Sequence, residues 1–373
     1  MRILIPWYRF PPFSEETIGG LSVSVYELSL NLSNVGHDVE VMVPPSLDGE
    51  RQESFGNIVV TRDDLGQRLA GNEDLNSKLK FFDNYDVILS IDNFAGKSLK
   101  PLLKNKRVAR QIHTVAPDRP VSSYLSLKAN LTEYAKMYVL RRREIEKEKE
   151  LKGSSSICVS RFLLRKMIEY GLESDSNLTH VPNGIDTHLF RRREKESLYD
   201  LLFVGRFQKV KGLDVLIRAL NLLSEKGRNL KLGVIGAFDA EERKFCLEFA
   251  RLEVRKRIEF LGKVPHEDMP GILSSGKVLV APSTYESFCL PALEAIACGV
   301  PVVGTRVGGI PEMIDDTVGL LAEPRNESSL AGCLSRTMDE SKIQEDALTQ
   351  GPLKATGYDW HIVRENFSSK LAG

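Results

Sequence analysis

The feature that most limits the fold of this chain is a strand–helix–strand order laid down twice. Residues 2–6 are a short apolar strand, and Leu21, Val25, Leu28, Leu32 and Val35 then recur at spacings of 4, 3, 4 and 3. That is one face of an amphipathic helix. Gly36 stops it, and 38–43 is the next strand. Strand, helix, strand opens a doubly wound sheet, and 86–91, 107–113 and 156–160 read as further strands of it. After the turn-forming stretch Val181-Pro-Asn-Gly-Ile-Asp186 the pattern restarts with strand 201–204, helix 213–224 and strand 230–235. Strands at 258–261, 278–281 and 300–303 continue it. At 373 residues two domains are the default. The expected division is 1–178, 179–357 and a closing segment 358–373, which carries Trp360, Val363 and Phe367 at helical spacing.

Composition narrows the class of partner. Lys plus Arg equals Asp plus Glu at 51 each, so net charge gives no case for nucleic acid. The five cysteines (158, 246, 289, 298, 333) are scattered without C-x-x-C spacing. Cys158, Cys298 and Cys333 lie in apolar surroundings and read as small core residues, which suits a reducing compartment. No apolar run reaches 18 residues and no signal peptide opens the chain, so a soluble, cytoplasmic protein is expected. A helix is expected over 124–152, with charges of both signs at spacings of three and four. That describes a solvated face, and a weak peripheral membrane contact at Arg141–Arg143 is the sharper alternative.

The chemistry concentrates in the second half. Glu286-Ser-Phe-Cys-Leu-Pro-Ala-Leu-Glu294 joins a strand-like run to a short apolar helix closed by Gly299. Pro291 suits a first helical turn, which leaves Glu286 on the loop above the helix and Glu294 about one turn inside it. The unpaired amides between them suit an anion, so the pair flanks a site for a ligand both hydroxylated and phosphorylated. Strand 201–204 ends in Gly205-Arg206 with Lys211-Gly212 directly before a helix. Cations there can neutralise a diphosphate, Arg206 as a planar fork and Lys211 as a point charge. Read alone, both are solvated loop charges; together with the two glutamates they point to a site.

In the first half, Gly19-Gly20 separates a strand end from a helix start, and His113 ends an apolar strand. The glycines permit close approach of backbone to a ligand, but the G-x-G-x-x-G of a dinucleotide site is absent. No Asp-x-Asp pair and no His or Cys cluster with metal spacing occurs, so no metal and no cofactor is expected. Gly308-Gly309-Ile-Pro-Glu312 is either a tight turn into a helix or room left for a ligand.

In this order these elements resemble the retaining GT-B glycosyltransferases of family 4. The resemblance rests on Gly19-Gly20, His113, Val181 to Asp186, Gly205-Arg206, Lys211-Gly212, Leu261-Gly262-Lys263-Val264, Glu286 with Glu294, and Gly308 to Glu312. It is dense in the second half and sparse in the first. It implies an α/β fold of two Rossmann-like domains facing across a cleft, with the C-terminal helix crossing back to the first domain. It implies a metal-independent hexosyl transfer from a nucleotide-diphosphate sugar to an acceptor the sequence does not identify. By the same likeness Arg206 and Lys211 grip the diphosphate and Glu294 takes the ribose hydroxyls. Lys263 and Val264 border the base, and Gly205 belongs to the same donor site. Glu286 and the amides around Phe288, Cys289 and Leu290 hold the sugar. Gly20 offers an amide to phosphate, and His113 reaches the sugar. Two departures stand out: Cys289 where the family usually has Gly, and no acid directly after His113. A nucleotide-sugar epimerase of the same fold and a non-catalytic nucleotide-sugar-binding protein remain as alternatives.

Overall fold

The computed structural model describes residues 1–7, 20–45, 52–70, 76–92, 94, 96–105, 108–114 and 149–372. Gly19 and Arg141–Arg143 lie outside the described residues, as does most of the expected helix 124–152. Its described end, 149–152, is turn rather than helix, and Gly153 at φ +95° follows it. Among the described residues no helix is long and apolar enough to cross a membrane.

Contacts divide the described chain into two compact units. The first takes every described residue up to Gly184 together with Trp360–Ala372, and the second is Ile185–Asp359. The strands of the first are β1 (Arg2–Pro6), β2 (Asp38–Val43), β3 (Gln52–Phe55), β4 (Ile58–Arg62), β5 (Val87–Ile91), β6 (Val108–Ile112), β7 (Ser155–Cys158) and β8 (Leu178–His180). They form one sheet in the order β3-β4-β2-β1-β5-β6-β7-β8, parallel throughout except for the β3–β4 hairpin. β5 and β6 are buried along their whole length, as strands covered on both faces must be.

The helix Gly20–Asn34 presents Val25, Leu28 and Leu32 to that sheet, as the 4-3 spacing requires. Trp360, Val363, Phe367 and Leu371 of the helix Trp360–Ala372 enter the same core. Burial of side chains this size is worth about 1.5–3 kcal/mol each, enough to fix the last helix on the first unit. Cys158, Cys246 and Cys298 are fully buried, Cys289 is buried as well, and Cys333 is half-buried; none of the five is in a disulfide.

The second unit holds β9 (Tyr199–Val204), β10 (Leu232–Ile235), β11 (Ile258–Gly262), β12 (Gly276–Ala281), β13 (Val302–Thr305) and β14 (Gly319–Ala322), all parallel. Their order is β11-β10-β9-β12-β13-β14, which is the 3-2-1-4-5-6 order of a Rossmann sheet. The chain therefore reverses its direction of growth between β9 and β12.

Candidate active site

Ligands of open α/β sheets bind outside the carboxyl ends of strands, where the strand order reverses. Here that point lies between the loops following β9 and β12, and several contacts pin those loops together. The amide of Thr284 donates to the Val210 carbonyl at 2.7 Å. Gly212, at φ +72°, passes so close to Pro282 that a Cβ there would meet the Pro282 carbonyl oxygen at 2.0 Å. Buried Thr305, at the end of β13, donates to the Ser283 carbonyl at 2.5 Å. The result is that Lys211 Nζ stands 2.5 Å from Glu286 Oε2, with Ser283 Oγ 3.4 Å from the same oxygen.

Burial would lower the pKa of Lys211, but the Glu286 carboxylate outweighs it and holds the ammonium above the ordinary lysine range. Lys211 is therefore a fixed positive charge throughout the neutral range. Arg206, on the same loop, is exposed, and among the described residues its guanidinium has no hydrogen bond or ion pair.

Gly308 and Gly309 serve the same loop from the other side. A Cβ at Gly308, which has φ +56°, would lie 1.5 Å from the Glu286 carbonyl oxygen, and the Gly309 amide donates to that oxygen at 3.0 Å. Of the two readings open from sequence, the structure adds a third element: the glycines make room for the backbone that carries Glu286.

The helix Leu290–Ala297 begins as expected, with Pro291 in its first turn and Gly299 (φ +66°) just beyond its end. Its N-cap is Cys289, in the left-handed region at φ +82°. For a residue with a Cβ that conformation costs about 1–2 kcal/mol. No side chain caps the helix, and among the described residues the amides of Phe288, Cys289 and Leu290 have no acceptor. Such a terminus suits an anion. Burial, and then the Glu286 carboxylate, push the Cys289 thiol up to about 12, so it is a neutral wall and not a nucleophile. The ring of Phe288 is buried against Tyr358, with centroids 6.1 Å apart.

Glu294 lies one turn into this helix, nearly buried, and its carboxylate has a different neighbour. His266 Nε2 is 3.7 Å from Glu294 Oε1, and among the described residues the carboxylate makes no hydrogen bond. The two glutamates thus have separate partners. Exposed Lys263 and half-buried Val264 follow β11, two strands away from β9, and reach this end of the site through the turn that brings His266 to Glu294. His266 was not singled out from the sequence, although it lies only two residues beyond the matched stretch Leu261 to Val264.

In the first unit Gly20 is the first residue of its helix. His113 directly follows β6, is buried, and its Nε2 has no hydrogen-bond partner among the described residues. Asp92, at the end of β5 with φ +52°, accepts from the amides of His113 at 2.6 Å and Thr114 at 2.9 Å, and from Thr114 Oγ1 at 3.1 Å. Asp92 also escaped the sequence reading; its signal was an acid immediately after an apolar strand.

Burial pulls the His113 pKa down to about 3, from 6.5 when unfolded. Between these values the unfolded chain binds a proton the native state does not, so stability rises with pH across that window. Below pH 6.5 the expected loss from this residue is up to about 1.4 kcal/mol per pH unit. Urea titrations at pH 7, 6 and 5 should give a shallower pH slope for His113→Asn than for wild type. Equal slopes would show that His113 is not held neutral.

Comparison with known proteins follows the two units. The chain matches the family model described as Glycosyltransferase Family 4 over residues 18–189 and the one described as Glycosyl transferases group 1 over 185–352. An uncharacterized glycosyltransferase of Methanocaldococcus jannaschii is 29% identical over 378 residues, covering 92% of this chain and 91% of that protein. Sucrose-phosphate synthase from Thermosynechococcus elongatus has a similar structure, with TM-score 0.78 at 19% identity over 99% of this chain and 97% of that one. Anabaena HepE, solved in complex with UDP and glucose, gives TM-score 0.72 at 17% identity over 100% of this chain and 99% of that one. At such identity the solved structures speak for the fold alone, which is GT-B.

Proposed function

This chain belongs to the family 4, group 1 glycosyltransferases, and from that membership we propose that it moves a hexose from a nucleotide-diphosphate sugar to an acceptor, with retention of configuration and without a metal. The observation that carries this reading is the Lys211–Glu286 pair at the β9/β12 reversal, beside exposed Arg206 and an uncapped helix N-terminus. Two cations and free amides are the groups a departing nucleoside diphosphate needs, because charge gathers on its terminal phosphate as the glycosidic bond breaks. That HepE was solved with UDP and glucose supports a donor of this kind.

In this reading Lys211 and Arg206 stabilise the leaving diphosphate, while the amides of Phe288, Cys289 and Leu290 receive its oxygens or those of the sugar. Glu286, held by Lys211, accepts from donor-sugar hydroxyls, and Glu294 accepts from the ribose. Gly205 keeps the β9 loop tight, Lys263 and Val264 border the base, and Gly20 lends an amide to phosphate. His113, neutral, contacts the sugar. Neither glutamate serves as a nucleophile: the acceptor attacks on the face the diphosphate leaves, and the departing phosphate takes the acceptor proton. A retaining glycosidase would instead set two carboxyls across one bond.

The test is a panel of UDP-, GDP- and ADP-sugars, each incubated with the enzyme with and without acceptors, following nucleoside diphosphate release. Release with at least one donor, undiminished by a chelator, is expected. Loss of release on chelation would overturn metal independence. Isomerised donor without transfer would favour an epimerase, and no turnover with any donor would favour a binding protein.

A further inference from the structure

Glu294 is a nearly buried carboxylate, its side chain 12% exposed, yet among the described residues it has no hydrogen bond. Leaving a carboxylate in that state is costly, and a neighbouring hydrogen-bond donor is what relieves it. The group in position to do so is His266, whose Nε2 is 3.7 Å from Glu294 Oε1. That spacing lies just beyond direct hydrogen-bond reach, a gap that a small side-chain rotation or one bridging water spans. His266 is itself fixed from behind: its ring lies 5.1 Å from the ring of Phe190, tilted by 59°, and Phe190 is buried. The chain delivers it through a short 3-10 turn, His266–Asp268, two residues after Val264. Pro265 precedes that turn at φ −53° and restricts its entry.

We propose that His266 is a positioning residue for the donor nucleotide, steadying the Glu294 carboxylate so that its oxygens meet the two ribose hydroxyls. This rests on the assignment of Glu294 to the ribose. The imidazole does not touch the reacting bond, so its effect falls on nucleotide affinity and reaches the ligand through the hydroxyls alone. Phe190 sets the ring's place, and Glu294 transmits it. His266 is more than a third exposed, so its replacement is expected to cost the fold little beyond the Phe190 contact, which thermal melts of the variant check.

Calorimetric titration of the full chain with UDP, GDP and ADP identifies the nucleotide bound most tightly, and that nucleotide and its 2′,3′-dideoxy form are then the probes. His266→Ala is expected to weaken the ribonucleotide by about 3- to 10-fold, corresponding to roughly 0.7–1.4 kcal/mol. It should leave the dideoxy form within twofold of wild type, and His266→Gln, which keeps a side-chain donor, should restore most of the loss. In a Glu294→Ala background, His266→Ala should add nothing. If His266→Ala weakens both probes equally or neither, while Glu294→Ala selectively weakens the ribonucleotide, the role of His266 is overturned and the ribose assignment stands. If Glu294→Ala also fails to distinguish the two probes, the ribose assignment itself falls.

Discussion

Lys211→Ala is expected to lower kcat by about 10²- to 10³-fold, the usual consequence of removing one preorganised group that meets transition-state charge. The ammonium is held by the Glu286 carboxylate at 2.5 Å, and its raised pKa keeps it charged over the whole neutral range. The sign follows: a raised lysine pKa adds stability below the unfolded value and loses it only as pH climbs through the folded one. The pair is partly exposed, 26% for Lys211 and 16% for Glu286, so its loss should cost the fold on the order of 1 kcal/mol or less. Activity and stability therefore separate in this variant. Lys211→Arg keeps the charge but not the point geometry, and should recover only part of the rate. Steady-state kinetics with the donor found in the panel, beside thermal melts, checks both halves. A rate within tenfold of wild type would remove Lys211 from the chemistry.

Arg110→Ala is expected to cost about 3–5 kcal/mol of folding stability, a large share of the 5–15 kcal/mol typical of a domain. Arg110 in β6 is fully buried, its partner Glu173 is 1% exposed, and the two meet at 3.1 Å. Arg110 Nε also donates to Ser154 Oγ at 2.8 Å and Ser156 Oγ at 3.1 Å, tying β6 to the start of β7. Glu173 in turn accepts from the amides of Gly153 at 2.7 Å and Ser174 at 2.9 Å, and from Asn177 Nδ2 at 3.0 Å. Removing the guanidinium leaves a buried carboxylate without its counter-ion. Arg110→Lys should not rescue it, because an ammonium cannot span both serines and the carboxylate. Denaturant unfolding measures the loss, and a value under about 1 kcal/mol would mean the site relaxes around the gap.

The repeated strand–helix–strand order was readable because each buried parallel strand is a short apolar run and the helix Gly20–Asn34 shows its apolar face every three or four residues. The hairpin β3–β4 was not read, although Gly56-Asn57 between Phe55 and Ile58 is a two-residue turn signal; β3 is mostly polar and lies at an edge, so it lacks an apolar run. β14 was missed for another reason. Only four residues long, it opens on Gly319 straight after the mostly polar turn at 316–318 and looks like loop until it is seen beside β13.

For the candidate site, the positions of Glu286, Glu294, Arg206 and Lys211 at strand and helix ends were legible from the sequence pattern. Their pairing was not. Lys211 and Glu286 are 75 positions apart, and only the pinning of two loops by Thr284, Gly212 and Thr305 brings them together. The same holds for Asp92, which acts on backbone amides that carry no sequence signature.

Gly184 abuts the ring of Trp360 in the first unit so closely that a Cβ on it would lie 2.3 Å from the indole, while Ile185 bridges Asp359 in the second. The described second unit is thus one uninterrupted stretch between those two points, and the first unit is split around it. During synthesis the order of completion is consequently inverted. The second core has all its parts once Asp359 has emerged, whereas the first, though begun earlier, waits for Trp360, Val363, Phe367 and Leu371. Until then its half-filled sheet exposes apolar surface, the stage at which a nascent chain most needs protection.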